Sequence, residues 1–193
     1  MLNKICNILK DKTVGIAGAG GLGSNCAVSL ARSGVGNIII ADFDVVEKTN
    51  LNRQYYFFNQ IGEKKVFALK ENINRINPNI NVKALDIFLN KNNIVEVFKN
   101  CEIIIEAFDK AEMKKILIET VLTEIPDKYI VSGSGMAGWG RNNRIKSIYS
   151  DKLFICGDGV SEVSEFFPAP SPRVSVVANL QANQALEILL KDL

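Results

Sequence analysis

Residues 13–25 read TVGIAGAGGLGSN, an apolar run that passes into Gly18, Gly20, Gly21 and Gly23. The run reads as a buried parallel strand meeting a phosphate-type loop. LGSNCAVSLARSGV, which follows, has helical spacing at Leu22, Cys26, Leu30 and Ala31, and Gly34 and Gly36 suit the end of that helix. Gly18, Gly20 and Gly23 satisfy the fingerprint G-x-G-x-x-G, whose physical content is close backbone approach to phosphates at a helix N-terminus. Gly21 is a fourth glycine that the fingerprint does not require. Taken alone the fingerprint is weak evidence, because the same glycines also serve tight helix–strand packing.

Working outward, NIIIADFD is a second buried strand with Asp42 and Asp44 at its exit. Asp42 lies at a suitable distance past Gly18 to bond a ribose hydroxyl. Asp44 is either a second ribose or metal contact or a loop-turn residue. From Asp44 to Lys65 runs a connection far longer than a usual strand-to-helix loop, and long ordered loops are usually functional. A helix is expected from about Lys64 to Arg75, stopped by NPN. INVKAL then reads as a third strand, Asn92 to Phe98 as a short helix, CEIIIEAF as a fourth strand, Met113 to Leu122 as a helix and KYIVSGS as a fifth strand. RIKSIYS and KLFIC form an antiparallel extension. After a second long connection, GDGVSEVSEFFPAPSPR, a helix from about Val174 to Leu190 closes the chain. The alternation predicts one α/β domain over residues 1–193, a Rossmann-like, doubly wound and mainly parallel sheet with helices on both faces. Ligands in such sheets sit outside the carboxyl ends of the strands.

Bulk properties exclude several chemistries. The 193 residues carry no histidine, which removes Ser-His-Asp catalysis, His-ligated metals and imidazole proton shuttles. Net charge is +2 with no run of five like charges, so no nucleic-acid surface is indicated. Cys6, Cys26, Cys101 and Cys156 are scattered, giving neither a zinc pattern nor a disulfide framework, so no zinc is expected and a reducing cytoplasm fits. No signal peptide or membrane-spanning stretch is present, and no membrane partner is expected.

The long loop separates the readings of the glycines. DFDVVEKTNLNRQ, then IGEKKV, resembles the signature of the ThiF/MoeB/HesA family, bacterial relatives of ubiquitin-activating enzymes. The matching elements are Gly18, Gly20, Gly21 and Gly23, then Asp42, then Asn50-Leu51-Asn52-Arg53-Gln54, then Gly62 and Lys65, and Asp109 in EAFDK. SPRVSVVANLQANQALEILL is similar to the family's final helix region. The resemblance covers nearly the whole chain and implies ATP-dependent adenylylation of the C-terminal glycine of a small ubiquitin-like sulfur carrier ending in Gly-Gly. It also implies a homodimer. In that reading the glycines, Asp42, Asp44, Asn50, Arg53, Gln54 and Lys65 bind ATP. Arg53 and Lys65 act on phosphates, Asp109 holds Mg2+ or caps the following helix, and Gly21 gives the nucleotide room.

The short form looks most like ThiF-type proteins of thiamine biosynthesis, with a ThiS-like carrier. Rival readings are a molybdopterin-synthase adenylyltransferase, a tRNA-modifying dehydratase of the superfamily, an NAD(P)-dependent oxidoreductase, and a nucleotide-binding interaction protein without catalysis. The chain departs from the family in three ways. MLNKICNILKDK lacks the N-terminal arginine, leaving Lys4, Lys10 or Lys12 as weak substitutes; the paired zinc cysteines are missing; and Lys110 follows Asp109 where asparagine is common. Cys156 is the candidate for a covalent carrier adduct, weighed against a buried structural thiol. Phe166 and Phe167 are either an exposed carrier surface or a lid folded onto the core.

Overall fold

The computed structural model describes residues 2–191 and 193. Helix α1 (Leu2–Leu9) precedes strand β1 (Thr13–Ala17), helix α2 (Gly21–Ser33) and strand β2 (Asn37–Asp42). Helix α3 (Lys65–Ile76), β3 (Asn81–Asp86), α4 (Ile94–Phe98), β4 (Ile103–Glu106), α5 (Ala111–Glu124) and β5 (Tyr129–Gly133) follow in strict alternation. The chain ends with β6 (Lys146–Ser150), β7 (Leu153–Gly157) and α6 (Ser171–Leu189).

The strands form one sheet in the order β3-β2-β1-β4-β5-β7-β6. The order reverses between β1 and β4, which pair in parallel from Val14↔Ile103 to Ala17↔Glu106. That switch point fixes where a ligand crevice opens. Strands buried on both faces carry continuous apolar runs. Ile103 and Ile105 of β4 join the core beneath α2, α3 and α6, while Ile104 faces Leu117, Val121 and Phe98 of the α4–α5 layer.

Two parts of the sequence reading are refined. KLFIC and RIKSIYS do pair antiparallel, but β7 also continues the parallel sheet against β5, so the antiparallel extension is the single edge strand β6. Helix α6 begins at Ser171, earlier than the apolar spacing indicated, because Pro172 in a first helical turn loses no hydrogen bond. Helix α1 was not expected. Its eight residues are too few to be stable alone; burial of Leu9 and a bond from the Gly36 N–H to the Leu9 carbonyl (2.9 Å) hold it. It leads into the start of β1, at the opposite end of the sheet from the glycine loop.

The second long connection is tied down by a buried ion pair. Asp158 accepts from the Val160 and Ser161 N–H groups at 3.0 and 2.8 Å and pairs with Arg173 of α6 at 2.8 Å. Both side chains are at most 6% exposed. Burial pushes the Asp158 carboxyl up, but the hydrogen bonds from Ser161, Val160 and Arg173 outweigh it and hold the group below its ordinary value. Asp158→Ala is therefore expected to cost about 3–5 kcal/mol at pH 7, since it leaves Arg173 buried and unpaired. A depressed carboxyl contributes in full above its unfolded pKa of about 3.9 and less as pH falls through the folded value. The gap between variant and wild type in denaturant melts should thus shrink from pH 7 to pH 3. An unchanged gap would contradict the assignment.

Candidate nucleotide site

The site grows from the end of β1. Gly18 has φ +97°, a left-handed conformation that favours glycine, and its N–H bonds the Ala41 carbonyl of β2 at 2.9 Å. The chain then enters α2, whose first intrahelical bond runs from the Ser24 N–H to the Gly20 carbonyl. The N–H groups of the first turn point out over the sheet rim with the positive end of the helix dipole.

Each glycine has a different neighbour. A Cβ on Gly20 would meet only the Gln54 side chain, at 3.9 Å. A Cβ on Gly21 would meet Val174 of α6 at 3.0 Å and the Arg53 stem at 3.7 Å. The extra glycine therefore makes room for protein: α6 and the long loop close on α2 there.

Asp42 ends β2 beside this loop. One carboxylate oxygen accepts the Ala19 N–H at 2.6 Å and the other the Asp44 N–H at 2.8 Å. The long loop folds directly onto the glycine loop through three contacts. The Tyr56 hydroxyl donates to the Ala19 carbonyl at 2.7 Å, the Asn25 amide bridges the Gly21 and Arg53 carbonyls at 2.7 and 2.9 Å, and the Tyr55 N–H donates to the Ser24 hydroxyl at 3.0 Å. Burial, then the charges of Asp42 and Asp44, push the Tyr56 hydroxyl well above its usual pKa, so it remains a neutral donor.

Arg53 and Lys65 are brought to this rim. Arg53 donates from one guanidinium nitrogen to the Thr49 carbonyl (3.3 Å) and the Asn52 side chain (2.8 Å). Lys65 opens α3 with its ammonium 2.8 Å from Asp44, the lysine side chain 8% exposed and the aspartate 49%. Gln54 faces Gly20, and its buried side-chain oxygen has no hydrogen-bond partner. The Asn50 amide oxygen accepts the Glu47 N–H at 2.9 Å, and the buried residue braces the loop.

Asp109 follows β4 across the crevice and is exposed, with no side-chain hydrogen bond among the described residues. It does not cap α5, whose N-cap position is Lys110 without a side-chain cap bond. The turn before it abuts the glycine loop, since a Cβ on Gly18 would lie 3.0 Å from the Ala107 carbonyl oxygen and 3.4 Å from the Phe108 ring. No group of three or more Cys, Asp or Glu side chains among the described residues is arranged to hold a metal ion. No described helix is long and apolar enough to cross a membrane.

Comparison with known proteins decides the family, because the ThiF family matches residues 3–192. The chain belongs to the ThiF family. It is 32% identical over 179 residues to the adenylyltransferase and sulfurtransferase UBA4 of Eremothecium gossypii, covering 92% of this chain and 38% of that protein. It is 37% identical over 115 residues to a probable molybdopterin-synthase adenylyltransferase of Porphyra purpurea, covering 59% of this chain and 30% of that one. This ThiF-family chain thus spans well under half the length of the curated relatives it matches. The E. coli tRNA N6-threonylcarbamoyladenosine dehydratase TcdA, solved with AMP, shares its fold at a TM-score of 0.88 and 22% identity, over 98% of this chain and 90% of that one. E. coli MccB with ATP aligns at a TM-score of 0.73 and 26% identity, over 97% of this chain and 58% of that one.

Three of the four thiols are buried. Cys156 is fully buried and contacts the Ser147 hydroxyl; burial pushes its thiol up to about 11, with that contact pulling the other way. Burial, then the nearby Glu102, raises Cys101 to about 12, and burial, then Cys156, raises Cys26 further. Phe167 folds inward against Trp139 at 5.8 Å between centroids, whereas Phe166 is 91% exposed. Sequence reading missed Tyr56, Ser24 and Asn25, whose partners are distant in the chain. A thiolate-selective alkylating reagent at pH 8 should label Cys6 rapidly in the native protein and the other three cysteines only after unfolding. Rapid native labelling of Cys156, read by peptide mass spectrometry, would reinstate it as a candidate for a carrier adduct.

Proposed function

We propose that the chain uses ATP to adenylylate the C-terminal glycine carboxylate of a small ubiquitin-like sulfur carrier, releasing pyrophosphate. The observation that carries this reading is the docking of the 44–65 loop on the glycine loop, which sets Arg53 and Lys65 beside the open N-terminus of α2. The names of the relatives, adenylyltransferases, and the ATP held by MccB support it.

A carboxylate oxygen of the carrier attacks the α-phosphorus, the bond from that phosphorus to its bridging oxygen breaks, and pyrophosphate leaves. The carrier carboxylate is ionised at neutral pH, so no general base is required and the lack of histidine is no obstacle. Catalysis then rests on positioning and on charge neutralisation. The free N–H groups of α2 take phosphate oxygens. Asp42, already oriented by Ala19 and Asp44, accepts from the ribose. Arg53 has further guanidinium donors to fork onto phosphate, and Lys65 adds a mobile point charge. Exposed and unpartnered, Asp109 fits magnesium, which takes one or two carboxylates together with phosphate oxygens and water. The ion would supply charge neutralisation on the departing pyrophosphate.

The identity of the carrier is a finer matter. A ThiS-like carrier of thiamine biosynthesis rests on family resemblance alone, while the relatives' names favour a molybdopterin-synthase type of carrier. Both belong in the assay. The homodimer implied by family resemblance and a reducing, cytoplasmic home are part of the same proposal, and sedimentation velocity tests the dimer.

Asp109→Asn and Arg53→Lys should each fold normally by circular dichroism and slow carrier-dependent ATP–pyrophosphate exchange by about a hundredfold, the usual scale for removing one such electrostatic contact. Exchange at wild-type rates in both variants would sink the ATP-site assignment. Tight NAD(P) binding alongside would favour the oxidoreductase.

A further inference from the structure

Glu106 closes β4 at the switch point of the sheet, and its carboxylate is fully buried. Three donors surround it. The Phe108 N–H binds one oxygen at 2.8 Å, and the other takes the Ser132 hydroxyl of β5 at 2.5 Å and the Lys114 ammonium of α5. Lys114 also donates to the Gly133 carbonyl at 3.0 Å. From α6, the Gln181 amide bonds the Glu106 and Val131 carbonyls, each at 3.0 Å. One residue thus gathers β4, β5, α5 and α6 directly under the turn that carries Asp109.

Stability alone does not account for this pair. Desolvating two charges offsets most of their attraction, and apolar replacements of similar volume are often no less stable. Ile104, Ile130 and Leu117 already provide an apolar core on this side of the sheet. An apolar side chain at position 106 could not, however, hold the Phe108 N–H at a fixed bearing. That bearing has consequences, because Ala107 and Phe108 form the wall against which Gly18 rests.

We propose that Glu106 is a positioning residue which, clamped by Lys114 and Ser132, locks the Ala107–Asp109 turn against the glycine loop and so sets Asp109 over the phosphates. This rests on the adenylylation reading for its catalytic consequence, though not for the geometry of the turn.

The test compares wild type with Glu106→Met/Lys114→Met, an apolar pair of similar volume, and with Lys114→Arg, which keeps the charge. Thermal melts, amide hydrogen exchange at Phe108 to Lys110, ATP affinity without magnesium, and kcat and KM for carrier-dependent exchange are measured on each. The double variant should fold, bind metal-free ATP as wild type does, and exchange the Phe108 amide faster. Its kcat should fall about tenfold to a hundredfold at unchanged carrier KM, the cost of misplacing one catalytic group by a fraction of an ångström to an ångström. Lys114→Arg should recover part of both losses. A folded double variant with wild-type Phe108 protection and wild-type kcat overturns the proposal. Should the double variant unfold, Ser132→Ala decides it, because it removes one clamp and leaves the charge pair in place, and wild-type Phe108 protection and kcat there overturn it. If wild type itself catalyses no exchange with any carrier, the adenylylation reading fails, and the Phe108 amide still decides whether Glu106 holds the turn.

Discussion

The end of β1 and the first turn of α2 are so close that a Cβ on Gly23 would lie 1.8 Å from the Gly18 carbonyl oxygen. Any side chain there would push the helix off the strand. That approach fixes where the α2 N-terminus points, and the rest of the rim is built on it. Ser24 and Asn25, one turn into α2, become the anchors for the long loop through Tyr55 and Arg53. Val174 of α6 reaches the same turn at Gly21, so the C-terminal helix packs on α2 where the loop does. A residue larger than glycine at Gly23 would therefore disturb α2, the loop and α6 together.

Much of this was legible in the sequence because its signals are local. Apolar runs of four to six residues, ended by glycine or an acid, marked β1, β2, β4 and β5, and spacing by three and four marked α2 and α3. The order of short motifs from Gly18 to Asp109 gave the family. What stayed hidden depends on partners far apart in the chain. Asp158 and Arg173, and Glu106 with Ser132 and Gln181, carry no periodic pattern, and each polar residue looked like a surface residue or a strand end until the sheet brought its partner near. Helix α1 has the spacing of an amphipathic helix in LNKICNIL, yet its length gives it no independent stability, and burial of Leu9 with the bond from Gly36 makes it persist.

The resting rim holds both of its cations on internal partners. Lys65 lies on Asp44, and Arg53 on the Thr49 carbonyl and the Asn52 side chain. In the proposed reaction an arriving triphosphate would have to exchange partners with these cations. The two exchanges differ in kind. Arg53 gives up neutral acceptors and keeps donors to spare, whereas Lys65 must leave a carboxylate that remains nearby. Asp44 therefore opposes phosphate binding unless it too gains a partner, and a ribose hydroxyl or a magnesium-bound water would serve. In the proposed reaction Lys65 is consequently the cation whose engagement is most sensitive to full occupation of the site.

Within the proposed function, the fate of the acyl adenylate follows from where the thiols sit. Cys26, Cys101 and Cys156 are buried, with their thiols held well above neutrality. Cys6 is exposed, but its sulfur lies 3.3 Å from where a Cβ on Gly34 would be, at the far end of α2. At about 1.5 Å per residue, the length of α2 separates Cys6 from the glycine loop by roughly 20 Å. No thiol of the described residues therefore meets the mixed anhydride where it forms. Within the proposed function, the acyl group stays on AMP until a nucleophile arrives from another chain, and the protein's task until then is to exclude water. The loop docked across the glycine loop, with Tyr56 sealed beneath it as a neutral donor, is the element placed to do so.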